Sequence, residues 1–219
     1  MKTTKKQVRA IIIGLVIGWS IVGLFGCKKE VLPLPIKVEN IKDKIPVDRG
    51  TMERYTIYKK FHYSYHSIVR FDGIEGFNSN FQFNSNCRYD LGNQNQGDIN
   101  KLFGCSFGSD NHYNSVRVGW NYNISTDMID LWYYAYERGI PTHIKIGSTN
   151  IDQYNDIQIY FDYSTNRVLL FLQSSTTGIA RAYDYIFPSE RWGYYQYPYF
   201  GGDEKAPHRM DILLYFNRY

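Results

Sequence analysis

Along the segment LWYYAYERG, Leu131 to Gly139, the residues Trp132, Tyr134 and Tyr136 alternate with Leu131, Tyr133 and Ala135. A strand turns successive side chains to opposite faces, so each trio shares one face. One of these faces must be core, and Trp132, Tyr134 and Tyr136 form the better candidate for chemistry. Aromatic rings suit sugars, because a pyranose presents patches of C–H that lie flat on a ring while a polar edge group makes a hydrogen bond. Arg117 and Asn121 fall on the polar face of the preceding strand, where they would bond sugar hydroxyls or a uronate carboxylate. The competing account is that a β-sandwich core simply consumes aromatics, which make up 17% of the chain and include 21 tyrosines.

Other residue groups carry weaker signals. Glycoside hydrolases need two carboxylates about 5.5 or 6.5–9.5 Å apart. Asp156 with Asp162, and Asp127 with Asp130, meet that requirement only loosely, and an E-x-D-x-x-E pattern is absent. A lyase would use a Tyr or His base with Arg and Gln or Asn neutralising the substrate carboxylate. His62, His66 and His112 are the nearest thing to a histidine cluster, but zinc asks for tight ligand pairs plus a third ligand. These histidines read as surface or hydrogen-bonded groups, and no metal site is assigned. The Asp98-Ile99-Asn100-Lys101 corner offers oxygen ligands for calcium, against the plainer account of a turn capped by Asx side chains. No other cofactor is called for, and the catalytic residues of any enzyme reading stay unassigned.

These candidates need strands to position them, and the chain supplies a strand period almost throughout. NSVRVGWNYNI sets Val116, Val118, Trp120, Tyr122 and Ile124 against Arg117, Gly119, Asn121 and Asn123, the pattern of a half-buried strand. NDIQIYFDY repeats it with Ile157, Ile159, Phe161 and Tyr163, and NRVLLFLQ follows after Ser164-Thr165 as a hairpin partner. Further strand candidates are RYTIYKKFHY, HSIVRF, NFQFNSNCRYDL, HIKIG, RAYDYIF, WGYYQYPYF and MDILLYFNRY. About ten short strands with no amphipathic helix read as an all-β fold, one antiparallel sandwich or barrel over residues 53–219. The stretch YPYFGGDEKAPH, Tyr197 to His208, is expected to be the turn that returns the last strand to its sheet, with Gly201 and Gly202 supplying the bend. Its alternative is a loop in which Asp203, Glu204 or His208 meets a ligand or calcium.

The first 26 residues have the layout of an export signal. Lys2, Lys5, Lys6 and Arg9 precede an apolar run from Ala10 to Gly26 that is broken only by Ser20 and ends at Cys27. Leu24-Phe25-Gly26-Cys27 resembles a bacterial lipobox, in which the cysteine sulfur takes a diacylglycerol, although Phe25 is bulkier than that pattern usually allows. The alternative is an uncleaved anchor, since the run is near the lower limit for a span, roughly 17 residues. Residues 27–52 then form an acylated cysteine and a proline-stiffened tether holding the domain outside the cytoplasm, with part of PLPIKVENI open to being an N-terminal strand. The expected address is the cell envelope, on the outer membrane in preference to the inner, with the periplasmic or surface side left open. Removing the signal leaves 21 basic against 21 acidic residues. A neutral domain gives little support to nucleic-acid binding. Cys87 and Cys105 remain in a compartment that permits disulfides, and either a bridge or two separate buried thiols is compatible with them.

QGDINKLFGCSFGSDNHYNSVRVGWNY, Gln96 to Tyr122, and YPYFGGDEKAPHRMDILL, Tyr197 to Leu214, resemble uncharacterised lipoproteins of Bacteroidota with a concanavalin A-like jelly-roll sandwich. YTIYKKFHYS and YYAYERG fit the same pattern, so the resemblance covers most of the exported domain, with Cys105 departing from an expected aromatic. What it implies is a fold frequent among glycan-binding and glycan-cleaving proteins, and no reaction. The expectation is therefore a non-catalytic, membrane-anchored sandwich that binds a glycan or an envelope protein. A polysaccharide lyase or glycoside hydrolase is the alternative, and a structural envelope or adhesin component the third.

Overall fold

The computed structural model describes residues 34–35 and 50–218. The expected signal over residues 1–26, Cys27 and most of the expected tether lie outside the described residues. The strands, in chain order, are β1 (Leu34–Pro35), β2 (Glu53–Ile57), β3 (Arg70–Asp72), β4 (Gly76–Phe83), β5 (Asn100–Phe107), β6 (Ser115–Asn123) and β7 (Met128–Glu137). They continue with β8 (Ile140–Asn150), β9 (Asn155–Asp162), β10 (Arg167–Gln173), β11 (Gly178–Asp184), β12 (Trp192–Gln196) and β13 (Met210–Arg218). Among the described residues, helix is confined to two short 3-10 turns, Ser85–Cys87 and Gln94–Gly97.

The strands form two antiparallel sheets. One has seven strands in the order β1-β11-β10-β9-β4-β13-β2, and the other six in the order β3-β12-β5-β6-β7-β8. This is the jelly-roll sandwich, all-β and two-layered, that the alternating sequence pattern leads one to expect. The two-residue β1 falls inside PLPIKVENI and pairs with Ala182 and Arg181 of β11, so that part of the segment is a short strand.

The core between the sheets is built largely from rings. Val116, Val118 and Trp120 of β6 point inward with no exposure, as do Ile157 and Ile159 of β9 and Ile212 of β13. Across the layers Phe77 meets Phe103 at 5.7 Å, Phe83 meets Trp120 at 5.0 Å, and Phe107 meets Phe161 at 5.4 Å. Tyr133 of β7 stacks face to face on Tyr183 of β11 at 4.0 Å. A large share of the aromatic composition is therefore spent on closing the sandwich, which is where burying about 150–250 Å² per ring contributes most.

Two sequence expectations need correction, and one open alternative is decided. β5, expected only as a strand or strand end around Cys105, runs over Asn100–Phe107 and is central in its sheet. Its alternation is broken by a bulge between Lys101 and Phe103, so that Leu102 and Phe103 are both fully buried. Ile124, expected to continue the inner face of β6, lies beyond the end of that strand and is exposed. No disulfide joins Cys87 and Cys105: both are free, buried thiols. Cys87 sits in the first 3-10 turn and donates to the Asp211 carbonyl at 3.3 Å, whereas Cys105 lies within β5. Burial pushes both thiols well above their usual range, so neither has thiolate character.

Candidate functional site

The six-stranded sheet turns one face to the core and the other to a groove of about 870 Å³. Its floor comes from the outward positions of four neighbouring strands: Lys101 on β5, Arg117 on β6, Tyr134 and Tyr136 on β7, Tyr194 and Gln196 on β12. Register explains the grouping. Arg117 lies opposite Tyr134 and Ser115 opposite Tyr136, so arginine and both tyrosines share one patch. β12 is brought against β5 by Gly193, where any β-carbon would fall 1.8 Å from the Ser106 carbonyl oxygen. Only glycine permits that approach, and it carries Tyr194 and Gln196 to the groove edge.

Two loops build a wall. Residues 58–66 and 197–206 are joined by backbone hydrogen bonds from Lys60 to Ala206, Ser64 to Pro198, and Phe200 to His62. Rings reinforce the seam: His66 stacks on Tyr55 and Tyr197 at 4.2 and 4.7 Å, those two tyrosines stack on each other at 5.8 Å, and His62 stacks on Tyr199 at 5.3 Å. Tyr199 also exchanges two backbone hydrogen bonds of 2.8 Å with Lys101, which ties the wall to the floor. The turn expected in YPYFGGDEKAPH is present at Gly201, whose φ is +81° and whose β-carbon would meet the Glu204 carbonyl at 2.0 Å. The same loop places Asp203 on the groove, while Glu204 accepts from Asn93 and Asn95 and His208 contacts the Asn86 carbonyl.

A second, shallower depression of about 390 Å³ is lined by Asp98, Ile99, Pro141 and His143. It shares Lys101, Tyr134, Gly202 and Asp203 with the larger groove, so the two meet at the Lys101–Tyr134 pair. There the Lys101 ammonium sits 4.0 Å above the Tyr134 ring, a cation–π contact. Burial first, and repulsion from Arg117 second, push the Lys101 pKa down to about 8, against a smaller opposing pull from Asp98.

Arg117 is 5% exposed. One of its terminal nitrogens donates to the Asn111 carbonyl at 2.5 Å, its Nε has no hydrogen-bond partner, and its guanidinium lies 6.0 Å from the Tyr136 ring. Neither Lys101 nor Arg117 forms an ion pair with a described residue. Tyr134 donates to the Tyr136 hydroxyl at 3.4 Å, and burial raises the Tyr134 phenol further above its ordinary range. The His112 ring packs edge-on to Tyr136 at 5.4 Å.

The residues singled out from sequence are thus divided. Arg117, Tyr134 and Tyr136 converge on the groove. Trp132 and Asn121 share its sheet face, but the indole N–H of Trp132 donates to the Asn121 side-chain carbonyl at 2.5 Å, and neither residue is among the lining. Each satisfies the other where a free edge group for a ligand was expected. Sequence reasoning missed Lys101, Tyr194, Gln196 and Tyr199. The alternation in WGYYQYPYF was a usable signal for Tyr194 and Gln196, because it sets them opposite the buried Tyr195. Among the described residues, no group of three or more His, Cys, Asp or Glu is placed to hold a metal ion.

No protein-family model matches the chain, and no curated protein does. Among solved structures it is similar to the alginate lyase AlyC3, at 9% identity over 76% of this chain and 75% of that one, with a TM-score of 0.51. It is also similar to peanut lectin, at 9% identity over 77% and 85% of the two chains and a TM-score of 0.44. A third is the carbohydrate-binding module CBM66 of Bacillus subtilis, at 10% identity over 79% and 98% and a TM-score of 0.36. At such identity the likeness establishes the fold, a concanavalin A-like sandwich, and nothing finer.

Proposed function

We propose that this chain is an exported lipoprotein, held to a bacterial membrane through Cys27, whose groove on the six-stranded sheet binds a glycan. One observation carries the reading: two adjoining depressions meet over Tyr134, so that ring faces, phenol hydroxyls and cationic donors line one continuous cleft. Rings offer the apolar surface a sugar needs, and the donors offer partners for its hydroxyls. A cleft formed of two joined depressions suits several linked sugars better than a single one. The layout of residues 1–27 supports the anchor, and labelling of Cys27 with a radioactive fatty acid in the producing cell tests it, since no label on a Cys27→Ala variant and label on the parent is the expected pair.

Binding of the purified domain to a broad glycan panel tests the groove. The expected outcome is binding by the parent that is lost in a Tyr134→Ala, Tyr136→Ala double variant with unchanged circular dichroism. Binding that survives in that variant removes this face from consideration. Retention of an envelope protein in pull-down, with no glycan bound, would favour the structural or adhesin reading.

Cleavage of the bound chain is a second reading, favoured by Lys101. An amine pushed down to about 8 can be neutral near that pH and accept a proton. A lyase or hydrolase would release new chain ends from a polysaccharide panel, and a complete lack of them leaves binding alone.

A further inference from the structure

We infer that the glycan is acidic, and that a carboxylate of the chain seats between the Lys101 ammonium and the Arg117 guanidinium. This rests on the glycan-binding reading and specifies its ligand. Two cations on adjacent strands face one cleft, and neither has an ionic partner among the described residues. Arg117 is nearly fully buried, yet its Nε lacks a partner while a neighbouring nitrogen is held by the Asn111 carbonyl. Burying an unpaired charge is costly, and an anion seated in the groove beside the guanidinium would offset that cost. Planar guanidinium matches a carboxylate through two parallel N–H donors, whereas an ammonium contributes a point charge from the side. The ring of Tyr134 below Lys101 then offers the face on which the same sugar rests.

Charge within the cleft has a polarity. The groups around Lys101 are Arg117 and Tyr134 on the floor, Tyr199 and Asp203 on the wall loop, Asp98 before β5, and His143 across the shallow depression. Asp98 and Asp203 lie together on the shallow side. The tyrosine-lined side around Arg117 has no carboxylate among its described lining residues beyond Asp203. A chain that places its carboxylate over Arg117 and its neutral hydroxyls toward the two aspartates avoids like-charge contact. Affinity is accordingly greatest with Lys101 protonated. With a pKa of about 8 in the free protein, binding weakens as pH rises above that value, by up to tenfold per unit until the pKa of the complex is reached.

The test uses oligosaccharides of galacturonate, mannuronate, guluronate and glucuronate, each paired with its carboxyl-reduced neutral counterpart, and calorimetry on the full exported domain. At least one acidic oligosaccharide is expected to bind ten times or more tightly than its reduced partner, and to lose affinity with added salt and above pH 8. That preference falls toward unity in Lys101→Met and returns in Lys101→Arg, with the thermal midpoint of each variant showing that it is folded. Arg117→Gln should abolish acid binding, and if it fails to fold, the lysine pair decides. Neutral oligosaccharides binding as well as acidic ones overturns the inference and leaves the glycan reading standing. No binding in either series overturns both.

Discussion

Tyr133 and Tyr134 are neighbours in one strand and meet opposite fates. Tyr133 is 1% exposed and stacked on Tyr183 in the core, while Tyr134 opens onto the groove beneath a lysine. The inner face of the six-stranded sheet is apolar and interdigitated, with Val118, Trp120, Leu131 and Tyr133 leaving little room for change. Its outer face holds Lys101, Arg117, Tyr134 and Gln196 around unfilled space. One side of a strand stabilises the fold, and the other lines the proposed binding groove.

The contrast is broken most severely from the inside. Replacing Trp120, fully buried against Phe83 and Tyr89, with alanine should cost about 3–5 kcal/mol in chemical denaturation, by lost burial plus a cavity. Gly193→Ala should cost about 1–3 kcal/mol, because its β-carbon collides with the Ser106 backbone and pushes β12 from β5. It should also weaken glycan binding, since Tyr194 and Gln196 move with that strand. Tyr136→Ala, on the outer face, should cost only about 1 kcal/mol in the same assay while removing most of the binding.

A pH series sharpens the comparison further. Lys101 titrates at about 8 in the fold, against 10.5 without it, so between those values the unfolded chain binds the additional proton. Lys101 therefore contributes stability that grows with pH across that window, whereas the buried Cys87 and Cys105 thiols, raised in the fold, act in the opposite direction, so the parent minus Lys101→Met difference should rise there. A difference between parent and Lys101→Met that stays flat or falls across the window would mean that this lysine is not held in the environment described. Arg117→Met should change stability least, and in the favourable direction, because an apolar side chain of similar reach replaces a buried cation with no anion beside it.

Local pattern carries far into this fold, and it stops at the long-range contacts. The period of two in β6 and β7 identified both faces of the central strands, and with them Arg117, Tyr134 and Tyr136. It could not show that Trp132 and Asn121 satisfy each other, because that depends on cross-strand register. β5 was legible only around Cys105, since a bulge between Lys101 and Phe103 interrupts its alternation. The wall is less legible still: residues 58–66 meet 197–206 across more than half the chain, through backbone hydrogen bonds that no residue type announces. The histidines illustrate the same limit. They read as surface or hydrogen-bonded groups, and His62 does contact the Phe200 carbonyl at 3.0 Å, but the sequence could not show that each also packs on rings, Tyr55 and Tyr197 for His66, Tyr199 for His62, and Tyr136 for His112.

A crystal structure of the domain soaked with the tightest-binding oligosaccharide from the panel tests the central claim most directly. The account predicts a sugar ring against Tyr134 or Tyr136, with a carboxylate oxygen within hydrogen-bond reach of Lys101 and Arg117. A sugar seated on the seven-stranded sheet, or held only by loops away from these four residues, would contradict it.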